Sequence, residues 1–206
     1  METSKRDMPF LFVGNHACLD FINTALVVDG QPRDLLATYS QVIAWAVESK
    51  LLTQAEADAI EEPSGKQANA AERLEQIRDF RSMLRDMVER IAAGKAVPQA
   101  AVHAINDALR VRVGYPELVS RKGKFEQKYH TERAGGAHLL GVLAESAADL
   151  LSTCDLSLIK KCQNPACVLF FYDTTKNHAR HWCSMTLCGN RHKVAAHYRR
   201  HRKGRA

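Results

Sequence analysis

The chain has 206 residues, 46% hydrophobic and 25% charged, the proportions of a folded globular protein and not of a disordered one. No apolar run approaches the ~20 residues that cross a bilayer. The N-terminal stretch through Val13 has neither the length nor the cleavage pattern of a secretory leader, so a cytoplasmic protein with no membrane partner is expected. Charge is uneven: from Lys160 onward there are eleven Lys and Arg against the single acid Asp173, which is +10, whereas the whole chain is +6. Residues 1–159 therefore carry −4 (18 basic against 22 acidic). A mildly acidic body with a basic extension suggests a polyanionic partner.

In chain order, Phe10-Leu11-Phe12-Val13 is a short apolar stretch with strand character. The segment from Asn15 to Thr24 predicts a helix with Leu19, Phe21 and Ile22 inward. Asp29-Gly30-Gln31-Pro32 is a breaker, with a step that tolerates a left-handed turn and a proline that stops a helix. A second helix follows, with Leu36, Tyr39, Ile43 and Val47 at helical spacing. Thr53-Gln54-Ala55-Glu56 is a capping box for a third, ended by Pro63-Ser64-Gly65. The longest helix carries Leu74, Ile77, Leu84, Val88 and Ile91 on one face. Gly94 stops it, and Pro98 opens another with Val102, Ile105 and Leu109. Residues 118–129 predict a hairpin around Lys122-Gly123. The run from His138 to Leu151 is apolar on most sides, as the central helix of a domain is. The expected fold class is therefore α+β: a mainly helical N-terminal domain with a small antiparallel sheet (1–158), followed by a small module (159–206).

Six cysteines are present, four of them in two pairs: Cys162-Gln163-Asn164-Pro165-Ala166-Cys167 and Cys183-Ser184-Met185-Thr186-Leu187-Cys188. In a cytosolic chain, paired cysteines at short spacing are more often metal ligands than disulfides. Two such pairs can place four thiolates at the corners of a tetrahedron, which suits one zinc ion. His178 and His181 are alternative ligands for one position. Pro165 makes the first pair a tight turn, residues 168–172 resemble a strand, and the chain turns at Asp173 and returns at Trp182. A knuckle, a hairpin and a helix carrying the last two ligands make a treble-clef-like zinc finger. Four thiolates would close the coordination shell, and Asp173 is the module's only acid, so a structural and not a catalytic ion is expected. So small a module has little core of its own, and zinc should supply most of its folding free energy. Cys18 and Cys154, in apolar settings, are expected to be buried thiols.

Beyond Asn190 the chain is basic. Val194 and Tyr198 are spaced to pack on the finger near Phe170 or Trp182, leaving a face that includes Arg191, His192, Lys193, Arg199, Arg200, Arg202 and Lys203. Such a face can pair with DNA phosphates and release counterions. Arg191, near the helix start, is suited either to a base edge or to a structural bond within the finger. A DNA-binding regulator is thus expected, a homodimer being usual on symmetric sites although no heptad seam is present. A zinc-stabilised protein-interaction or RNA-binding module is the alternative, since treble-clef fingers serve many ends.

The residues Arg180-His181-Trp182-Cys183-Ser184-Met185 and Cys188-Gly189-Asn190-Arg191, with the knuckle and Leu169-Phe170-Phe171-Tyr172-Asp173-Thr174, resemble the bacterial CGNR zinc finger family. The run Gly14-Asn15 through Leu19-Asp20-Phe21-Ile22-Asn23-Thr24, with Trp45, resembles the ABATE domain that precedes this finger. The resemblance implies stress-induced transcription regulators with a ligand-binding role for the first domain. Histidines at 178, 181 and 192 depart from the family's usual arginine or polar residues; near phosphates they would make binding pH-sensitive around neutrality. Asn15, Asp20, Asn23 and Trp45 are then candidates to line a small-molecule pocket. The competing reading is that the polar three pin backbone groups and Trp45 is core. No Ser-His-Asp set, phosphate loop or paired-acid motif marks the first domain as an enzyme.

Overall fold

The computed structural model describes residues 9–61, 69–110, 114–121, 124–131, 136–191 and 193–194. It is mainly helical, with three two-stranded antiparallel sheets. Helix α1 (Ala17–Ile22) is followed by strands β1 (Ala25–Val28) and β2 (Gln31–Asp34), then α2 (Tyr39–Glu48), α3 (Gln54–Glu61), α4 (Ala70–Ala92) and α5 (Gln99–Arg110). Strands β3 (Gly114–Arg121) and β4 (Lys124–Thr131), helix α6 (Gly136–Thr153), and strands β5 (Ile159–Lys161) and β6 (Phe170–Tyr172) complete the order before a π-helical turn, Met185–Gly189. No helix among the described residues is long and apolar enough to cross a membrane.

Helix boundaries follow local chemistry. Thr38 accepts from the Gln41 backbone N–H while the Gln41 side chain reaches back, a capping box that starts α2 at Tyr39. Leu36, expected inside that helix, is buried in the loop before it, its N–H held by Asp34 Oδ1 at 2.9 Å. The capping box at Thr53 and Glu56 forms as its spacing predicts. Gly94, at φ +69°, ends α4 in the left-handed region. Helix α6 lies in the middle: Leu139, Leu143, Ala144, Ala147 and Leu150 are fully buried, and it meets α1, α4 and α5. The β3–β4 hairpin pairs as expected, Leu118 opposite Gln127 and Ser120 opposite Phe125. Its Lys122-Gly123 turn, and Pro63-Ser64-Gly65, lie outside the described residues.

Two expectations are corrected. Residues 10–13 form no strand; Phe10, Leu11 and Val13 run without regular structure and pack on the C-terminal module. The breaker at Asp29-Gly30 is the turn of a hairpin: both residues have positive φ (50° and 78°), and Val28 pairs with Gln31. Two left-handed residues between paired strands match the twist of a two-residue loop. Pro32 fits because β2 is an exposed edge strand where a missing N–H costs little.

The module containing the cysteines is seated directly on this body. Asn23, buried at the end of α1, donates from Nδ2 to the Phe170 carbonyl at 2.8 Å and accepts the Phe170 N–H on Oδ1 at 2.9 Å. Its amide acts as one more strand beside β6. Asp20, also buried, accepts the Gly14 N–H at 2.7 Å. Gly14 has no room for a side chain, since a Cβ there would lie 2.8 Å from Leu19 Cβ and 2.9 Å from Asp20 Oδ1. The Gly14 carbonyl in turn accepts from the Tyr172 N–H at 2.8 Å. From α4, Arg85 donates to the carbonyls of Ile22, Ala25 and Val168, stitching α1, β1 and the module together.

Asn23→Ala would strip two buried backbone groups of their partners, at about 1–3 kcal/mol each. Urea denaturation of the zinc-loaded variant should show a loss of about 2–4 kcal/mol. Burial pushes the Asp20 carboxyl up to about 6, against the opposing Gly14 and Val13 amides and the Arg180 charge. The folded state then holds the Asp20 proton more tightly than the unfolded state does, so the contribution of Asp20 to stability is fully present below about pH 4 and lost as pH rises through 6. Asp20→Asn keeps the acceptor and removes the ionisation. Between pH 4 and 7 the wild type should fall relative to this variant by on the order of 2–3 kcal/mol; a constant difference would refute the assignment.

Candidate metal centre

Strand β5 leads into the first cysteine pair and β6 leads out, so the knuckle is the loop of their hairpin, with Ile159 opposite Tyr172 and Lys161 opposite Phe170. The expected hairpin after the knuckle is thereby corrected: of residues 168–172, Phe170–Tyr172 form a strand that pairs backward with β5, and the segment at Trp182 forms no strand. Within the knuckle, Cys162 N–H bonds to Leu169 O at 2.9 Å and Cys167 N–H to Asn164 O at 2.8 Å. Asn164 also accepts the Ala166 N–H and points Nδ2 at Cys188 Sγ, 3.3 Å away, linking the two pairs.

The second pair is shaped by a cap and a widened turn. Ser184 accepts from the N–H groups of Thr186 and Leu187, and its carbonyl receives both Cys188 N–H and Gly189 N–H, at 3.0 and 3.1 Å. A π-type turn, common at functional sites, thus carries Cys188 directly into helical Asn190 and Arg191. Gly189 is required by close approach, since a Cβ would lie 2.6 Å from the Met185 sulfur and 3.2 Å from Trp182 Cδ1. Both side chains pack on the bare glycine.

Cys162, Cys167, Cys183 and Cys188 place their sulfurs within 4.8 Å of one another. Cys167 and Cys183 are 3.8 Å apart, Cys183 and Cys188 3.6 Å. A tetrahedron with ~2.3 Å metal–sulfur bonds has sulfur edges of about 3.8 Å, so the spacing fits one zinc ion. The chemistry fits as well. Hydrogen bonds from Cys167 and then Cys183 hold the Cys162 thiol far below its usual range. Their contacts with Cys162 push Cys167 and Cys183 well above theirs, burial adding to both. Four thiolates cannot share this volume without a cation. Zinc, when bound, neutralises that charge and cross-links the two pairs. The cluster contains sulfur only: His178 lies with Nδ1 3.3 Å from Asp173 O, and His181 stands edge-on to Trp182, ring centroids 6.4 Å apart.

Two polar residues brace the centre, and spacing alone marks neither as a brace. Arg180 lays its guanidinium 4.1 Å over the Phe171 ring and donates to the carbonyls of Trp182, Cys183 and Val13, tying the second pair to the N-terminal segment. Asp173, fully buried, accepts from Lys160 Nζ (2.7 Å), Thr175 N–H and hydroxyl, and Arg180 N–H. Burial raises its pKa, but those four donors more than offset it and hold the carboxyl well below the usual carboxylate range. Its isolation as the one acid in a basic segment was the available signal. With every contact inward, it is a brace and not a general base.

The remaining sequence candidates are dispersed. Asn15, at φ +60°, donates to Tyr172 O and Thr174 Oγ1, joining Asp20 and Asn23 along the seam with the module. Trp45 is apart from that seam, fully buried against Phe21 with ring centroids 5.3 Å apart, and its indole N–H meets no acceptor among the described residues. Arg191 and Lys193 are exposed. Arg191 lines a cavity of roughly 220 Å³ between the β1–β2 turn and the knuckle, whereas Lys193 lines a cleft of roughly 880 Å³ beside Trp182. Val194 is 54% exposed, so it does not pack on the finger. Met185 already occupies the ground beside Trp182, and Phe170 faces the body, under Arg85 and Lys161. The side chain of His192, and Tyr198, Arg199, Arg200, Arg202 and Lys203, lie outside the described residues.

Cobalt in place of zinc should give the strong visible d–d absorption of a tetrahedral site with sulfur charge-transfer bands, one ion per chain. Cys167→Ser should weaken the charge-transfer bands. A weak octahedral spectrum in the parent protein would contradict the four-sulfur arrangement.

Residues 159–201 match the model of the CGNR zinc finger, and residues 15–153 match the family described as "Putative stress-induced transcription regulator". No curated protein matches the chain. Four thiols this close, inside a matched zinc finger, form a site for one structural zinc ion. With residues 15–153, more than half of its length, inside the match to the family of that description, the chain belongs to the ABATE family and carries a CGNR zinc finger after that domain.

Proposed function

We propose that this zinc-containing regulator binds DNA through the helix that starts beside Cys188 and the basic segment following it. One observation carries the reading: the turn holding Cys188 runs directly into helical Asn190 and Arg191, so an ion clamping the thiolates also fixes where that helix starts and its direction. The contact set is Arg191, His192, Lys193, Arg199, Arg200, Arg202 and Lys203, in a segment of net charge +10. Phosphate pairing by such a segment gains free energy from counterion release. Arg191 faces the protein's own β1–β2 turn, with Asp29 across the same cavity, which favours a positioning role over base reading. In this reading residues 1–158 are the sensing unit and residues 159–206 the DNA-binding unit of a cytoplasmic protein.

If six or more phosphates are neutralised, affinity for duplex DNA should drop by about 10³-fold or more between 50 and 200 mM salt. Arg199→Glu with Arg200→Glu should weaken binding at least tenfold and flatten that salt slope, measured by fluorescence anisotropy on a labelled duplex. Full affinity in the double variant would remove the helix from the interface. Tighter binding to single-stranded RNA than to duplex would favour an RNA-binding module.

A further inference from the structure

The 880 Å³ cleft lies where the N-terminal segment meets the finger, and its composition is one-sided. Phe12, Trp182 and Met185 give it apolar walls; Phe12 and Met185 are 43% and 48% exposed. Lys176, His181 and Lys193 bring basic groups to the same space, and Arg180 lies at its base, held there by its bonds to Val13, Trp182 and Cys183. Among the described residues that line it, none is acidic. Single exposed apolar residues are ordinary, but several converging beside basic groups in a concavity are the usual composition of a ligand site.

We infer that this cleft is a binding site for a small organic anion, an aromatic carboxylate, whose ring lies against Trp182, Met185 and Phe12 and whose carboxylate faces Lys193 and Lys176. Charge complementarity selects the anion: a neutral ring would leave the Lys176 and Lys193 ammonium groups with no counter-charge among the described residues lining the cleft, and a cation would be repelled. The walls select the ring, because Phe12, Trp182 and Met185 present apolar surface to the cleft, the last two lying against Gly189. A cavity of this size accepts molecules up to ordinary drug size. The cleft also spans the two units, one wall coming from residues 12–15 and the other from residues 175–185, with Lys193 on the basic helix. An anion there neutralises part of the charge offered to DNA, so it should lower DNA affinity. That consequence rests on the DNA-binding reading, while the binding of the anion does not.

The test is calorimetry on the zinc-loaded full-length chain with 1-naphthoate and its uncharged counterpart 1-naphthylmethanol. Expected are saturable one-to-one binding of naphthoate below millimolar and at least tenfold weaker binding of the alcohol. Lys176→Glu with Lys193→Glu should weaken naphthoate at least tenfold, whereas Lys95→Glu with Lys124→Glu should leave it unchanged. Equal affinity for acid and alcohol, an unaffected Lys176/Lys193 double variant, or no saturation by about 5 mM would each overturn the site. DNA affinity measured on the same preparations separates the two readings. Naphthoate binding with no DNA binding keeps the cleft and rejects the DNA interface; DNA binding weakened by the Lys176/Lys193 variant with no naphthoate binding assigns the cleft to the DNA surface and rejects the anion site.

Discussion

Four sulfurs held within 4.8 Å impose the constraint on which the C-terminal module depends. Ionising one thiol in that space makes ionising its neighbours harder, as the divergent behaviour of Cys162 and of Cys167 and Cys183 expresses. Only a cation lets all four carry charge together, and a tetrahedral divalent ion with a preference for sulfur meets both the distance and the charge. The backbone is arranged to deliver the sulfurs: a tight turn at Pro165 for one pair, and a capped π-type turn for the other.

Zinc does not act on an isolated finger. Leu169 and Phe171 share a buried cluster with Leu26 and Leu35 of the first domain, and Phe170 enters the main core. Each such side chain contributes about 2 kcal/mol when withdrawn from water. The module therefore does not rely on the ion alone, since its strand side also shares the core of the first domain. The strand side of the finger is held by the body, and the ion's distinctive task is to bring the second pair and its helix onto that platform. A consequence is mechanical: a change at α1 or at residues 12–15 acts on the module through Asn23, Gly14 and Arg180 without crossing a flexible linker.

Two arginines, Arg85 and Arg180, make the joint, and a third, Arg81, fixes the first-domain side of it. Arg81 grips Asp34 with two parallel bonds of 2.7 and 2.6 Å and reaches Thr24, Arg85 collects three carbonyls, and Arg180 collects three more. A planar guanidinium with five donors can satisfy several converging carbonyls at once, which a lysine ammonium on a flexible stem does less well. Arg85 and Arg180 thereby give partners to the carbonyls of Val13, Ile22, Ala25 and Val168, which stand at the ends of elements or in irregular segments.

Much was legible locally. The metal set followed from paired cysteine spacing, since coordination demands those residues at close intervals. Helices α3, α4, α5 and α6 followed from capping residues and from a 3.6-residue apolar period that survives in any context. The Asp29-Gly30 hairpin was obscured because Pro32 argues against a strand unless that strand is known to be an edge. The pairing of β6 with β5 instead of with the Trp182 segment, and the exposure of Val194, depended on which surfaces were already filled by Met185, Trp182 and the first domain. Asn15, Asp20 and Asn23 stood out in sequence as polar residues among apolar ones, yet that pattern is the same whether they face a ligand or a backbone. Only the tertiary structure brought Tyr172 alongside Asn15 and Phe170 alongside Asn23, because hydrogen bonds between residues more than a hundred positions apart leave no periodic trace in the chain.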